Sequence, residues 1–120
     1  HAFRYRIWYA ALLKPRGWGD LPLVISELAI APDSQCGGPE GAGAGWKDYQ
    51  EWWVQQGLGP TGPEAYENLL AWYDSELRKD SYVIGTAIFT ANAVKTKDQW
   101  FPWDLHDVLP ALARYAAQQR

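Results

Sequence analysis

The stretch Leu21-Pro22-Leu23-Val24-Ile25-Ser26-Glu27-Leu28-Ala29-Ile30 decides the fold. It is apolar nearly throughout and β-branched in its first half. Unbroken apolarity, in place of alternation, predicts a strand covered on both faces, as in a parallel sheet. Its one acidic residue, Glu27, falls where such a strand leaves the sheet. A second run, Tyr82-Val83-Ile84-Gly85-Thr86-Ala87-Ile88-Phe89-Thr90, reads as another buried strand. Gly85 inside it predicts close approach of another backbone.

Between the two runs, Pro63 or Glu64 opens a helix reaching about Lys79. Proline near its start, Glu64 and Glu67 in its first turn, and Arg78 and Lys79 at its end all suit the helix dipole. Tyr66, Leu69, Leu70, Tyr73 and Leu77 form its buried stripe. Strand, helix and strand make one right-handed parallel βαβ unit.

Helices are expected outside this unit too. Phe3 to Leu13 carries apolar residues at Phe3, Ile7, Trp8, Ala11 and Leu12, one helical face, with Arg4 and Arg6 pointing elsewhere; Pro15 and Gly17 end it. Asp104 reads as the N-cap of a last helix through about Gln118, kinked at Pro110. Ala31 to Gly62 is a long loop with a glycine run at Gly37–Gly45 and a short helical turn over Asp48–Gln56. The expected fold is α/β, in the order α-β-α-β-α with parallel strands. A two-stranded sheet with two open edges is too small to stand alone, so other sequence or further copies must complete it.

Composition bounds the rest. At 120 residues and 13.6 kDa the chain is one domain, spanning 1–120. A net charge of −3 and pI near 5.2 argue against phosphate-driven nucleic-acid binding. No apolar run approaches the roughly 20 residues that span a bilayer, so no membrane partner is expected. The single Cys36 excludes an internal disulfide and a multi-cysteine zinc site. Eight tryptophans mark aromatic surface as either core material or a binding surface, and the lack of methionine, with His1 first, suggests a processed chain or a piece of a longer one.

The first run, with proline, an apolar stretch and Ser26 before Glu27, resembles the strand-seven signature of clan A retaining glycoside hydrolases, which are (β/α)₈ barrels. Tyr82–Thr90, with Asp80 before it, is similar to strand eight, and Trp100–Leu105 with the closing helix to the C-terminal stretch of that family. The resemblance covers nearly the whole chain but only the last part of a barrel. It implies a partial TIM-barrel-like segment, completed by the remaining barrel sequence or by a homo-oligomer, since four two-stranded copies would supply eight strands. It implies Glu27 as the nucleophile on a β-linked polysaccharide and, by family habit, an extracellular location.

A retaining glycosidase needs a second carboxyl group, roughly 5–5.5 Å away, as acid and base. In clan A this residue follows an asparagine on strand four. Here Asn68 precedes Leu69 and Asn92 precedes Ala93, so the partner is absent from this chain. Glu40 and Glu51 are the loop carboxylates that could approach Glu27.

Trp46, Trp52, Trp53, Phe89, Trp100 and Trp103 lie in or beside the segments that follow the strands and are the expected sugar-stacking residues. Some of these rings are expected to fill core instead, and Trp8 and Trp72, on helices, are expected to be structural. The glycine run lacks a following Gly-Lys-Ser/Thr and is no phosphate loop. His1 and His106 do not amount to a copper site, and Cys36 has no nearby histidine to activate it. No cofactor and no metal are expected. The alternative function is a non-catalytic carbohydrate-binding module, or an inactive barrel fragment, that uses the same tryptophans.

Overall fold

A computed structural model describes residues 3–30, 45–91 and 100–119. The protein is α/β: β1 (Leu23–Leu28) and β2 (Val83–Ile88) form a two-stranded parallel sheet. Ahead of β1, α1 (Arg4–Trp8) runs on as a π-helical turn over Tyr9–Leu13 and a 3₁₀ turn over Lys14–Arg16. A 3₁₀ turn (Trp46–Tyr49) leads into α2 (Gln50–Gln55), and α3 (Gly62–Leu77) connects to β2. After β2 come a 3₁₀ turn (Phe101–Trp103) and α4 (Leu109–Gln118). The expected loop tip over residues 37–44, with Cys36 and Glu40, lies outside the described residues.

The central helix follows its sequence signals closely. Thr61 caps it: its hydroxyl oxygen accepts from the Glu64 amide at 3.4 Å and its hydroxyl donates to the Glu64 carboxylate at 2.6 Å. Pro63 sits in the first turn, where its missing N–H costs nothing. Ala65, Tyr66, Leu70, Tyr73 and Leu77 are buried at helical spacing. Gly17, at φ +78°, ends the first helical segment; its amide bonds to Lys14 and that of Trp18 to Leu13.

The first helix buries a different face from the one its apolar residues mark. Ile7 and Leu12 are exposed, and Trp8 is 65 % exposed. Of the marked residues only Phe3, just ahead of α1, packs against the core, and the helix itself is held through Tyr5, Arg6 and Tyr9. Phe3 stacks on Tyr73 at 5.1 Å, Tyr9 stacks on Tyr82 at 3.8 Å, and the Tyr5 hydroxyl and Arg6 Nε donate to the Asp80 carboxylate at 2.5 and 2.7 Å. The physical reason is that these polar aromatics and the guanidinium find partners at the α3–β2 junction, which aliphatic Ile7 and Leu12 could not satisfy. Trp72, expected to be structural, is likewise exposed, although its edge meets Phe3.

Two further expectations are corrected. Pro110 does not kink a helix begun at Asp104; α4 starts at Leu109 and holds Pro110 in its first turn. Gly85 pairs with Val24 in the ladder, but no neighbour needs the space of its missing side chain: a Cβ there would meet nothing within 4 Å among the described residues. The tight glycines are Gly45, where a Cβ would fall 2.1 Å from the Pro102 carbonyl oxygen, Gly59 against the Ala65 backbone and Gly62 against the Gln50 side chain.

The core lies on one side of the sheet. Leu28, Trp46, Tyr49, Trp53, Leu105 and Val108 join the buried face of α3, with Ile25, Val83 and Leu112 packed against them. Among the described residues nothing covers the opposite face of the sheet, where Val24 is exposed and Ile84 is 67 % exposed, so the expected coverage on both faces is not met there.

Candidate functional site

Glu27 owes its position to a bulge. Ile25 pairs with Thr86 and Leu28 with Ile88, so β1 spends one more residue than β2 over the same span. A matching extra residue in β2, between Val83 and Gly85 opposite Leu23 and Val24, restores the register overall. Strict alternation from Ile25 would turn Leu28 away from the core. The extra residue keeps Ile25 and Leu28 on the core side and leaves Ser26 and Glu27 both exposed. Among the described residues no hydrogen bond or ion pair ties the Glu27 carboxylate.

The end of β2 lies beside it. The Phe89 amide donates to the Leu28 carbonyl at 2.8 Å, carrying the ladder one residue past the end of β2. The Thr90 amide then donates to the Trp103 carbonyl at 3.3 Å, and the Leu105 amide to Thr90 at 3.0 Å. The Phe89–Thr90 peptide is cis. These bonds gather three rings: Phe89 meets Trp100 edge-to-face at 5.2 Å and Trp103 at 6.2 Å. Trp100 is 46 % exposed, while Phe89 and Trp103 are half-buried. Exposed carboxylate and aromatic shelf thus share the C-terminal end of the sheet.

The other tryptophans go elsewhere. Trp46 is 0 % and Trp53 1 % exposed, and both stack on Tyr66, at 5.0 and 5.6 Å with rings nearly parallel. With their faces covered by protein, neither offers a platform to a ligand, which corrects the expectation for both. Trp52 is half-buried against the core. Burial pushes the Tyr66 phenol up to about 12, against a smaller opposing effect of the Ile30 backbone.

A clamp that the sequence did not announce holds the two post-strand segments together. The Trp46 indole N–H donates to the Asp104 carbonyl at 2.9 Å. Lys47 Nζ lies 3.5 Å from the buried Asp104 carboxylate and 2.8 Å from that of Asp107, and sits over the Phe101 ring at 4.3 Å. Asp104 therefore does not cap α4; its Oδ2 accepts from the His106 amide at 3.3 Å and faces Lys47. The only signal in the sequence was the Trp-Lys pair at 46–47, which has no distinctive meaning without the partner segment.

Among the described residues no group of three or more His, Cys, Asp or Glu side chains converges as a metal site. His106 and Glu51 are both exposed, Glu51 on α2. Clefts of about 760 and 460 Å³ open around α1 and the start of β1, at the opposite end of the sheet from Glu27. There Asp80 anchors the first helix. Burial works to raise its carboxyl pKa, but hydrogen bonds from Tyr5 and Arg6 outweigh it and hold the group below its ordinary value.

No protein-family model matches the chain, and no curated protein or solved structure shows significant similarity to it.

Proposed function

We propose that this chain is the strand-seven and strand-eight part of a (β/α)₈ glycoside hydrolase acting on a β-linked polysaccharide, with Glu27 as its nucleophile. The observation that carries this reading is the bulge that presents Glu27, exposed and untied, at the C-terminal end of a parallel strand beside the Phe89–Trp100–Trp103 shelf. In parallel α/β architectures, chemistry gathers at that end of the strands. Glu27 would attack the anomeric carbon as the leaving oxygen departs, giving a glycosyl ester that water then cleaves. The acid and base for those two steps come from outside residues 1–120. Phe89, Trp100 and Trp103 would stack on the apolar face of a sugar ring. A binding module without catalysis is less well supported, because Trp46 and Trp53, the platforms it would need, are core.

The test is Glu27→Gln in the polypeptide that completes the barrel, assayed on soluble β-glucans and β-xylans. Turnover should be abolished while the melting curve stays in place. An activated 2-deoxy-2-fluoro-β-glycoside should add one glycosyl mass to the peptide holding Glu27 in the parent and none in the variant. Wild-type turnover by the variant sinks the assignment.

A further inference from the structure

Lys47 is drawn into the protein in a way lysines seldom are. Only 13 % of its side chain is exposed, and the Asp104 side chain beside it is 2 % exposed. Lysine is almost never buried unless its charge is paired. Here one ammonium reaches three residues of one short segment: the Phe101 ring, Asp104 and Asp107. That segment is the 3₁₀ turn over Phe101–Trp103 with its exit, and the shelf rings Trp100 and Trp103 stand at its entry and its end.

The turn hangs between two attachments. On one side Thr90, just past β2, bonds through its backbone to the Trp103 carbonyl and the Leu105 amide, which sets where the chain passes. On the other side lies the Trp46–Tyr49 turn, in the stretch that follows β1. There the Trp46 indole holds the Asp104 carbonyl, and Gly45 lies so close to Pro102 that a Cβ would not fit. These contacts hold the spacing of the two segments through their backbones. Among the described ion pairs and ring contacts, the one that crosses the gap to the Phe101 ring and the Asp104 carboxylate is Lys47. Asp104 depends on it: Oδ1 has no hydrogen-bond partner among the described residues, and Oδ2 has the His106 amide and Lys47. A carboxylate so far from water keeps its charge only beside a cation.

We infer that Lys47 is a positioning residue for the aromatic shelf. Acting through Phe101, Asp104 and Asp107, it sets the roll of the 3₁₀ turn, and so the angle at which Trp100 and Trp103 meet Phe89. The segment after β1 thereby aims rings carried by the segment after β2, and the two halves of the βαβ unit share one surface beside Glu27. The role of Lys47 in turnover rests on the shelf being the sugar platform proposed above, whereas its role in placing the rings does not.

Fluorine NMR on the chain labelled with 5-fluorotryptophan gives one line per tryptophan, and Trp100→Phe and Trp103→Phe assign the shelf lines. Lys47→Met keeps most of the stem and drops the charge. In it both shelf lines should move and change their heavy-water isotope shift, which reads ring exposure and not the local field. The lines of exposed Trp8, Trp18 and Trp72 should stay in place. Lys47→Arg, which keeps the cation, should bring the shelf lines most of the way back. A Lys47→Met chain that keeps both its circular dichroism spectrum and its shelf isotope shifts overturns the inference. If that variant loses its spectrum, Asp107→Asn decides: it removes the outer partner, at an exposed carboxylate, without stranding Asp104, and unmoved shelf lines there overturn the inference too. In the polypeptide that completes the barrel, Lys47→Met should raise KM for a soluble β-glucan by about fivefold or more and change kcat less, as lost substrate positioning does. Shifted lines with a parental KM leave the clamp standing and take sugar stacking away from the shelf, so the two proposals fail separately.

Discussion

Replacing Trp46 by alanine separates a core residue from a ligand platform. The indole is wholly buried, one face stacked on Tyr66 at 5.0 Å, and its N–H holds the Asp104 carbonyl at 2.9 Å. Truncating a fully buried tryptophan costs about 3–5 kcal/mol in lost burial and residual cavity. Stranding a buried carbonyl without its donor adds about 1–3 kcal/mol, less where water enters the cavity. A loss of roughly 4–6 kcal/mol is a large part of the ~5–15 kcal/mol that holds a small domain together. With a urea m-value of about 1–3 kcal/mol per molar, the midpoint should fall by roughly 1 M or more, or the variant should be unfolded in buffer. Trp46→Phe, which keeps most of the ring and loses the donor, should recover more than half of the deficit. Trp100→Ala, at a half-exposed ring, should move the midpoint far less. Urea melts followed by far-ultraviolet circular dichroism make the comparison. A Trp46→Ala midpoint within about 0.5 M of the parent, or below-parent stability in Trp100→Ala alone, would falsify the assignment of Trp46 to the core.

Three other outcomes follow from the geometry. Asp80→Asn should destabilise by about 1–3 kcal/mol near neutral pH by weakening the bonds from Tyr5 and Arg6. Because the folded carboxyl titrates below its ordinary value, the contribution is present above that value and is lost as pH falls through the folded one; the gap between parent and variant in urea melts should close in strong acid. Gly45→Ala should destabilise by about 1–3 kcal/mol through collision with Pro102, whereas Gly85→Ala should be neutral or stabilising by a few tenths, since its Cβ meets nothing; thermal melts rank the two. Glu27→Gln, at an exposed and untied side chain, should shift stability by no more than about 0.5 kcal/mol, and a larger loss in the same melts would show that the carboxylate has a structural partner.

Local signals along the chain set the helices and strands and their order. Periodic apolar residues, Pro63 and Glu64 at a helix start and Pro15 and Gly17 at a helix end are local signals, and local signals survive without knowledge of the fold. Glu27 also stands out in the sequence, because an acidic residue closing a buried run is visible in one dimension. Tertiary structure decided which face of each element is covered. Ile7, Trp8 and Leu12 look like a buried stripe, yet Tyr5, Arg6 and Tyr9 win the interior because Asp80, Tyr82 and Glu76 wait there. Trp46 and Trp100 are indistinguishable as letters; one lies against Tyr66 and the other at the rim, a matter of which segments meet across 58 residues from Trp46 to Asp104. The bulge at Ser26–Glu27 exists only in the pairing with β2. Helix caps and strand runs are properties of neighbours in the chain, whereas burial, register and side-chain pairing are properties of neighbours in space.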